Sequence, residues 1–168
     1  MAGVKIDVKL EGFDEVRRRL ADYPARVRNN IMRSGVNRAL AVLRKGAKVR
    51  VPVKTGALRA AMRTTTRILN GSDVVGRLVA GGAVRGKGKL AGRQVWYAHI
   101  VEGGSAPHKI FRERVTPTGG RYIQQINHPG ARPRGFLART ATQDLPAASR
   151  AFEVYVQQRM VRYVETGK

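Results

Sequence analysis

The run PARVRNNIMRSGVNRALAVLRKGAKVRVP, Pro24 to Pro52, decides how the rest of the chain is read. Val27 and Ile31 give way to Val36, Ala39, Leu40, Leu43 and Ala47, with arginines and lysines on the other positions. That spacing predicts one long amphipathic helix from Ala25 to about Val49. Pro24 suits its first turn, where a missing N–H costs nothing. Pro52 closes it, because the residue before a proline is driven out of the α region.

On the N-terminal side, Val4, Ile6, Val8 and Leu10 alternate with Lys5, Asp7 and Lys9 as in a half-buried strand, which Gly12 ends. Phe13 to Tyr23 then reads as a short helix with Phe13, Val16 and Leu20 on one side. On the C-terminal side, Thr55 is placed to cap a short helix over Ala57, Leu58, Ala61 and Met62. Thr64–Leu69 and Val74–Ala80 flank Asn70-Gly71-Ser72-Asp73, a hairpin signal. Residues 81–92, GGAVRGKGKLAG, read as a mobile basic loop and not as a folded element. A strand is expected at Val95–Val101, and a second hairpin from Ile110–Val115 and Tyr122–Ile126 around Pro117-Thr118-Gly119-Gly120. The C-terminal segment, 136–165, reads as a short helix at Phe136–Ala141. A longer helix headed by Pro146 follows, with Ala148, Phe152, Tyr155, Val156, Met160 and Tyr163 on its apolar side. This order predicts a single α+β domain over 1–168, a mostly antiparallel sheet with the long helix and the C-terminal helices packed on one face.

Composition narrows the function. The chain carries 33 Lys+Arg against 11 Asp+Glu, a formal net charge of +22. Such a balance attracts polyanions, whether nucleic acid or acidic protein surfaces, and makes isolated copies repel one another. Most of the excess lies between Arg17 and Arg67, where Asp22 is the only acid. There is no cysteine, so disulfides and thiolate metal sites are excluded. No apolar run approaches the ~18 residues of a membrane span, and no membrane partner is expected.

Catalysis needs convergent titratable groups, and the acids here are scattered. His99, His108 and His128 with Glu102 are the available metal-ligand types. His99 and Glu102 have the i, i+3 spacing of a helix, but their run reads as a strand, so no metal site is assigned. The glycines and lysines of RGKGKLAG do not match the phosphate-binding pattern G-x-x-x-x-G-K-[ST]. No catalytic residue and no cofactor follow, and the expectation is a protein that is not an enzyme. Arg85, Lys87, Lys89 and Arg93 are the candidate polyanion contacts.

Three segments taken in order carry a resemblance: VPVKTGALRAAMR (Val51–Arg63), WYAHIVEGGSAPHKI (Trp96–Ile110) and INHPGARPRGFLARTA (Ile126–Ala141). Preceded by a long basic helix, they resemble the tail-completion or neck proteins of long-tailed bacteriophages, the group related to the lambda-like tail-completion protein. Pro52, Thr55, Gly56, Leu58 and Arg59 match the first element. Tyr97, Ala98, Val101, Glu102 and Gly103, then Pro107, His108 and Ile110, match the second. His128, Pro129, Gly130, Phe136, Leu137 and Ala141 match the third. Gly104-Ser105 stands where Gly-Thr is usual, and Gly135-Phe136 where Pro-Phe is usual.

The resemblance implies a virion structural protein, made in the host cytoplasm, that forms a homo-oligomeric, hexameric ring in the neck. Its partners there are head-closure or connector proteins, the tail terminator or tail tube protein, and packaged DNA by non-specific contact. Arg59, Arg63, Tyr97 and Glu102 are candidate interface residues, with Tyr97 otherwise a core tyrosine, and Glu102 either pairing with Arg59 or Arg63 of a neighbouring copy or standing as a plain surface carboxylate. His128-Pro129-Gly130 is expected to fix a turn through a hydrogen bond from His128 to backbone. The alternative is a sequence-independent nucleic-acid-binding basic protein, and a small hydrolase using one of the histidines is the weakest reading.

Overall fold

A computed structural model describes residues 3–7, 13–69 and 73–166. In chain order the elements are β1 (Val4–Asp7), α1 (Phe13–Arg19), α2 (Ala25–Arg50), α3 (Ala57–Ala60), β2 (Arg63–Leu69) and β3 (Asp73–Ala80). They continue with β4 (Gly82–Ala83), β5 (Gln94–Val95), α4 (Ala98–Gly103), β6 (His108–Val115), β7 (Arg121–His128) and α5 (Phe136–Thr166). Val8, Leu10, Gly12 and the Asn70-Gly71-Ser72 turn lie outside the described residues.

The fold is α+β. The alternation at the N-terminus and the two apolar runs after α3 form one antiparallel sheet in the order β1-β3-β2. Its register pairs Ile6 with Leu78 and Leu78 with Thr64 across the sheet. Residues two apart share a face, so Val74, Leu78 and Ala80 point to the same side and are buried. That side is covered by α2, whose Val36 and Leu40 side chains lie over Gly76 of β3. Thr66 on the edge strand reaches the same helix, bonding Asn37 through Oγ1–Oδ1 at 2.5 Å.

The rest of the α2 stripe meets α5. Ile31, Met32, Gly35, Val36, Ala39, Leu40, Leu43 and Ala47 are buried along α2, and Phe136, Leu137, Thr140, Ala148, Phe152 and Val156 along α5. The two helices make the most extensive element-to-element packing among the described residues. Gly35 sits where a Cβ would come within 2.8 Å of both Phe152 Cδ2 and Val156 Cγ2, so the helices close at a residue without a side chain. Nearer the end of α2, Arg50 forks onto Asp144, Nη1 to Oδ2 at 2.5 Å and Nη2 to Oδ1 at 2.9 Å.

Three local expectations need correction. The C-terminal segment is one helix, not two, with Pro146 inside it. Pro146 is on the exposed side, while Leu145 and Ala148 hold the helix to the core on either side. The expected strand at Val95–Val101 is only Gln94–Val95. The chain then turns into α4, because Val95, Ala98 and Val101 recur every third residue and all three pack inward. Residues 81–92 are also folded. Val84 is buried, its N–H donates to the Arg93 carbonyl at 3.0 Å, and the Gly92 N–H donates to its carbonyl at 3.0 Å. β4 and β5 therefore form a small hairpin. Its Leu90 packs near Gly56, with Cδ1 3.7 Å from the position of a Cβ there.

The α2–α5 closure gives a first prediction. Gly35→Ala adds up to ~1 kcal/mol of helix propensity, but overpacking a filled core costs about 1–3 kcal/mol, and Phe152 and Val156 are 0 % and 1 % exposed with nowhere to move. Urea unfolding of Gly35→Ala is expected to show a net loss of about 1 kcal/mol. An unchanged or raised midpoint would mean that α5 does not sit this close.

Candidate functional site

The strands β6 and β7 pair only with each other among the described residues, eight residues on each side and in register from His108–His128 to Val115–Arg121. At ~3.3 Å per residue this ribbon is about 26 Å long. Every β6 side chain is exposed, and so is every β7 side chain except His128, which is half-buried. The ribbon is an arm that stands clear of the core.

Cross-strand partners share a face, so the register sorts the arm into two. One face carries Phe111, Ile123 and Val115, which are 65 %, 71 % and 65 % exposed, and the acid there is paired, with Glu113 Oε1 accepting from Arg121 Nη1 at 3.3 Å. The other carries Ile110, Ile126, Arg112, Arg114 and Tyr122 and no acid. An isolated two-stranded ribbon is marginal in water and offers two open backbone edges.

The arm is rooted by the second and third sequence segments, which the fold brings together. Just below His108 and His128, Ser105 and Ala131 exchange both backbone hydrogen bonds, at 2.9 and 3.0 Å. The chain crosses there so closely that a Cβ on Gly104 would meet the Ala131 carbonyl oxygen at 2.6 Å, and one on Gly130 the Ser105 carbonyl oxygen at 2.3 Å. Both glycines also have positive φ, 76° and 85°. His128 Nδ1 accepts the Gly130 N–H at 3.0 Å, the backbone bond expected of the His128-Pro129-Gly130 turn. His108 Nδ1 donates to the Ala106 carbonyl at 2.9 Å, and the two rings stack with centroids 4.9 Å apart.

Glu102 has a role that sequence reasoning misses. Its carboxylate accepts the Leu137 N–H through Oε2 and the Ala138 N–H through Oε1, both at 2.9 Å. These are orphan donors of the first turn of α5, and Gly135 before it has no side chain to accept them. A carboxylate at that helix end is also favoured by the helix dipole. The Gly135 N–H bonds the Glu102 carbonyl at 3.0 Å and the Arg134 N–H the Val101 carbonyl at 2.9 Å, so α4 clamps the start of α5. Both Glu102 oxygens are thus engaged within the chain, so Glu102 is more than a plain surface carboxylate. With Phe136 fully buried next to the cap, α4, the start of α5 and the root of the arm meet in one packed junction.

The remaining motif residues are spread over the molecule. Gly56 has φ 77° and itself occupies the N-cap of α3, while Thr55 Oγ1 takes only a long bond, 3.4 Å, from the Ala57 N–H. Leu58 is buried, and Pro52 and Arg59 are exposed. Tyr97 is half-buried against the core at the start of α4, with the exposed Trp96 ring edge-on to it at 5.9 Å, and Gly103 ends the same helix. His99 is on α4, its Nδ1 bonded to the Trp96 carbonyl. Among the described residues no three His, Asp or Glu side chains gather as a metal would require. Lys87 and Lys89 stand exposed on the β4–β5 loop, whose returning limb includes Arg93.

Arg85 is different. With Arg44 of α2, Arg63 and Thr64 of β2, and Ala60 to Met62, it lines a concavity of about 250 Å³ that includes no carboxylate. Arg63 is held by its Nη1 bond to the Gly81 carbonyl, 2.6 Å. Partial burial first, and then the Arg44 and Arg59 guanidiniums, push the Lys48 ammonium below its ordinary value. Nothing in the sequence singles out Arg44, because it is one arginine among many on a basic helix face.

The chain matches no family model, and comparison with curated proteins and with solved structures found no match.

The junction predicts that Glu102→Ala removes two charge-assisted caps at a stability cost of about 1–2 kcal/mol. Amide hydrogen exchange is expected to rise first at Leu137 and Ala138. Unchanged protection there would show that α5 is capped in another way.

Proposed function

We propose that this chain is a structural, assembly-forming protein whose working parts are surfaces and not a pocket. Within that class, the reading the geometry favours is a virion protein of the bacteriophage head–tail connector, a ring subunit that completes the tail and joins it to the head.

The observation that carries this is the arm. A ribbon of two eight-residue strands that buries nothing on its own body, yet exposes Phe111, Val115 and Ile123 on one face, gains its stability from something else. The occupant we assign is a second copy of the chain. Each copy carries a projecting ribbon whose outer edges pair with no other strand among the described residues and, elsewhere, an outer strand, β2, likewise unpaired on one side among the described residues, with Thr65, Arg67, Ile68 and Leu69 exposed. Donor and acceptor on one chain pair head to tail, by strand addition, and a head-to-tail contact with the right rotation closes into a ring.

The family motifs support the same reading. Tyr97, Glu102, Gly103, His108, His128, Pro129, Gly130 and Phe136 come from the stretches 97–108 and 128–136 on either side of the arm, and all belong to the arm's root or the α4–α5 junction. A net charge of +22 opposes association of free subunits. Rings therefore form on acidic neighbours in the neck, and the purified chain is monomeric or weakly associated. Enzymatic turnover plays no part. A second reading, a sequence-independent nucleic-acid-binding protein, is favoured by the uncompensated arginines around Arg85.

Loss of the protein is expected to leave filled heads and finished tails accumulating separately, scored by electron microscopy. Phe111→Ser with Ile123→Ser, both at exposed positions, is expected to leave the melting temperature within a few degrees while abolishing incorporation into particles. Normal particles from that variant, or absence of the protein from purified virions, would defeat the proposal.

A further inference from the structure

We infer that the concavity between α2, the α3–β2 junction and the β4–β5 loop is a phosphate-binding site, and that its natural ligand is a backbone phosphodiester of a nucleic-acid strand. The site combines Arg44, Arg63, Arg85 and Thr64 around about 250 Å³, with no carboxylate in the lining. Guanidinium groups present several N–H donors in a fixed fork suited to phosphate oxygens, and a threonine hydroxyl adds a neutral donor.

The site is partly organised before any ligand arrives. Arg63 is half-buried and tied to the Gly81 carbonyl through Nη1. Gly82 lies against the same guanidinium, where a Cβ would stand 3.3 Å from Nη1. Arg85 follows directly on Val84, which is buried and fixed by the Arg93 and Gly92 backbone bonds. Arg44 projects from the last two turns of α2, beside the buried Leu43 and three residues before the buried Ala47. Among the described residues no carboxylate forms an ion pair with any of the three arginines.

A polymer fits better than a free anion because the positive field continues past the cavity. Lys48 lies one helical turn beyond Arg44 and Arg59 is close enough to act on it, while Lys87 and Lys89 extend the row along the loop. A strand of phosphates spaced along a backbone meets successive cations, which one small anion cannot do. The arm's basic face, with Arg112 and Arg114, is a separate feature and is not needed for this site.

The inference goes beyond the connector reading and stands or falls on its own, since it is tested on the purified full-length chain. Binding of a short fluorescein-labelled DNA duplex is followed by anisotropy over a range of salt. The test pair is Arg44→Gln with Arg85→Gln, both exposed. The control pair, Arg18→Gln with Arg26→Gln, removes the same charge from α1 and from the first turn of α2, where Arg26 lies about 27 Å along the helix from Arg44. Removing one arginine–phosphate interaction lowers the steepness of the log–log salt dependence by about one. The test pair is expected to lower it by about two and weaken binding about tenfold or more, while the control leaves the slope unchanged. Circular dichroism and melting curves confirm that both pairs are folded.

Equal effects of the two pairs would reduce the attraction to diffuse charge and overturn the site. Displacement of the duplex by millimolar pyrophosphate at matched ionic strength, with Arg44 and Arg85 required for pyrophosphate binding, would assign the site to a free anion and overturn the polymer reading. Binding of polyglutamate through the same residues, with no affinity for DNA, would overturn it in favour of an acidic protein. None of these outcomes bears on whether the chain is found in particles, so the two proposals fail separately.

Discussion

The structure depends on how closely α5 can lie on α2. The long helix has two neighbours to satisfy, the sheet through Val36 and Leu40 and the C-terminal helix through the side that includes Gly35, and both contacts are made over a side chain that is missing, at Gly76 on one side and Gly35 on the other. Burying Phe152 and Val156 completely is possible only at that separation. Each large apolar side chain so buried contributes about 1.5–3 kcal/mol. The Arg50–Asp144 fork then sets the register of the two helices at the far end. With α5 placed in this way, its N-terminus is placed too, and everything attached to that end follows.

What is attached is the arm. Glu102 links the short helix α4 to the first turn of α5, and the Ser105–Ala131 bridge links the two limbs just below the ribbon. The arm is thus cantilevered from the core and not hung from a flexible loop. Glycine stands at 104 and 130 because two segments of the chain cross there at a distance that leaves no room for a Cβ.

Charge works on a longer scale than either contact. At +22 the chain is driven apart from its own copies and toward anything acidic. In the proposed assembly, the apolar arm supplies short-range attraction once neighbours are held together. The proposed phosphate site is the cluster of arginines around the concavity, with which no carboxylate pairs among the described residues. The two features are on different parts of the molecule.

Much of the fold is legible in sequence, because local pattern and burial agree there. The stripe Ile31, Val36, Ala39, Leu40, Leu43, Ala47 and the helix it predicts are present in the structure, and so are the antiparallel runs 64–69 and 74–80 and the pairing of 110–115 with 122–126. The exceptions arise where a distant contact outweighs the local signal. Pro146 should stop a helix, yet packing on both sides of it carries α5 through. The glycines of 81–92 suggest a loose loop, yet Val84 and Leu90 find core to rest on. Glu102 resembles a surface acid in sequence because its partners, two backbone amides, are some 35 residues away and have no side-chain signature. By itself the sequence determined the charge, the absence of thiol chemistry and the periodicities, all properties of residues taken one or a few at a time. Only the tertiary structure decided that the second hairpin stands free of the core and that Arg44, Arg63 and Arg85 meet, since both depend on how elements far apart in the chain are packed.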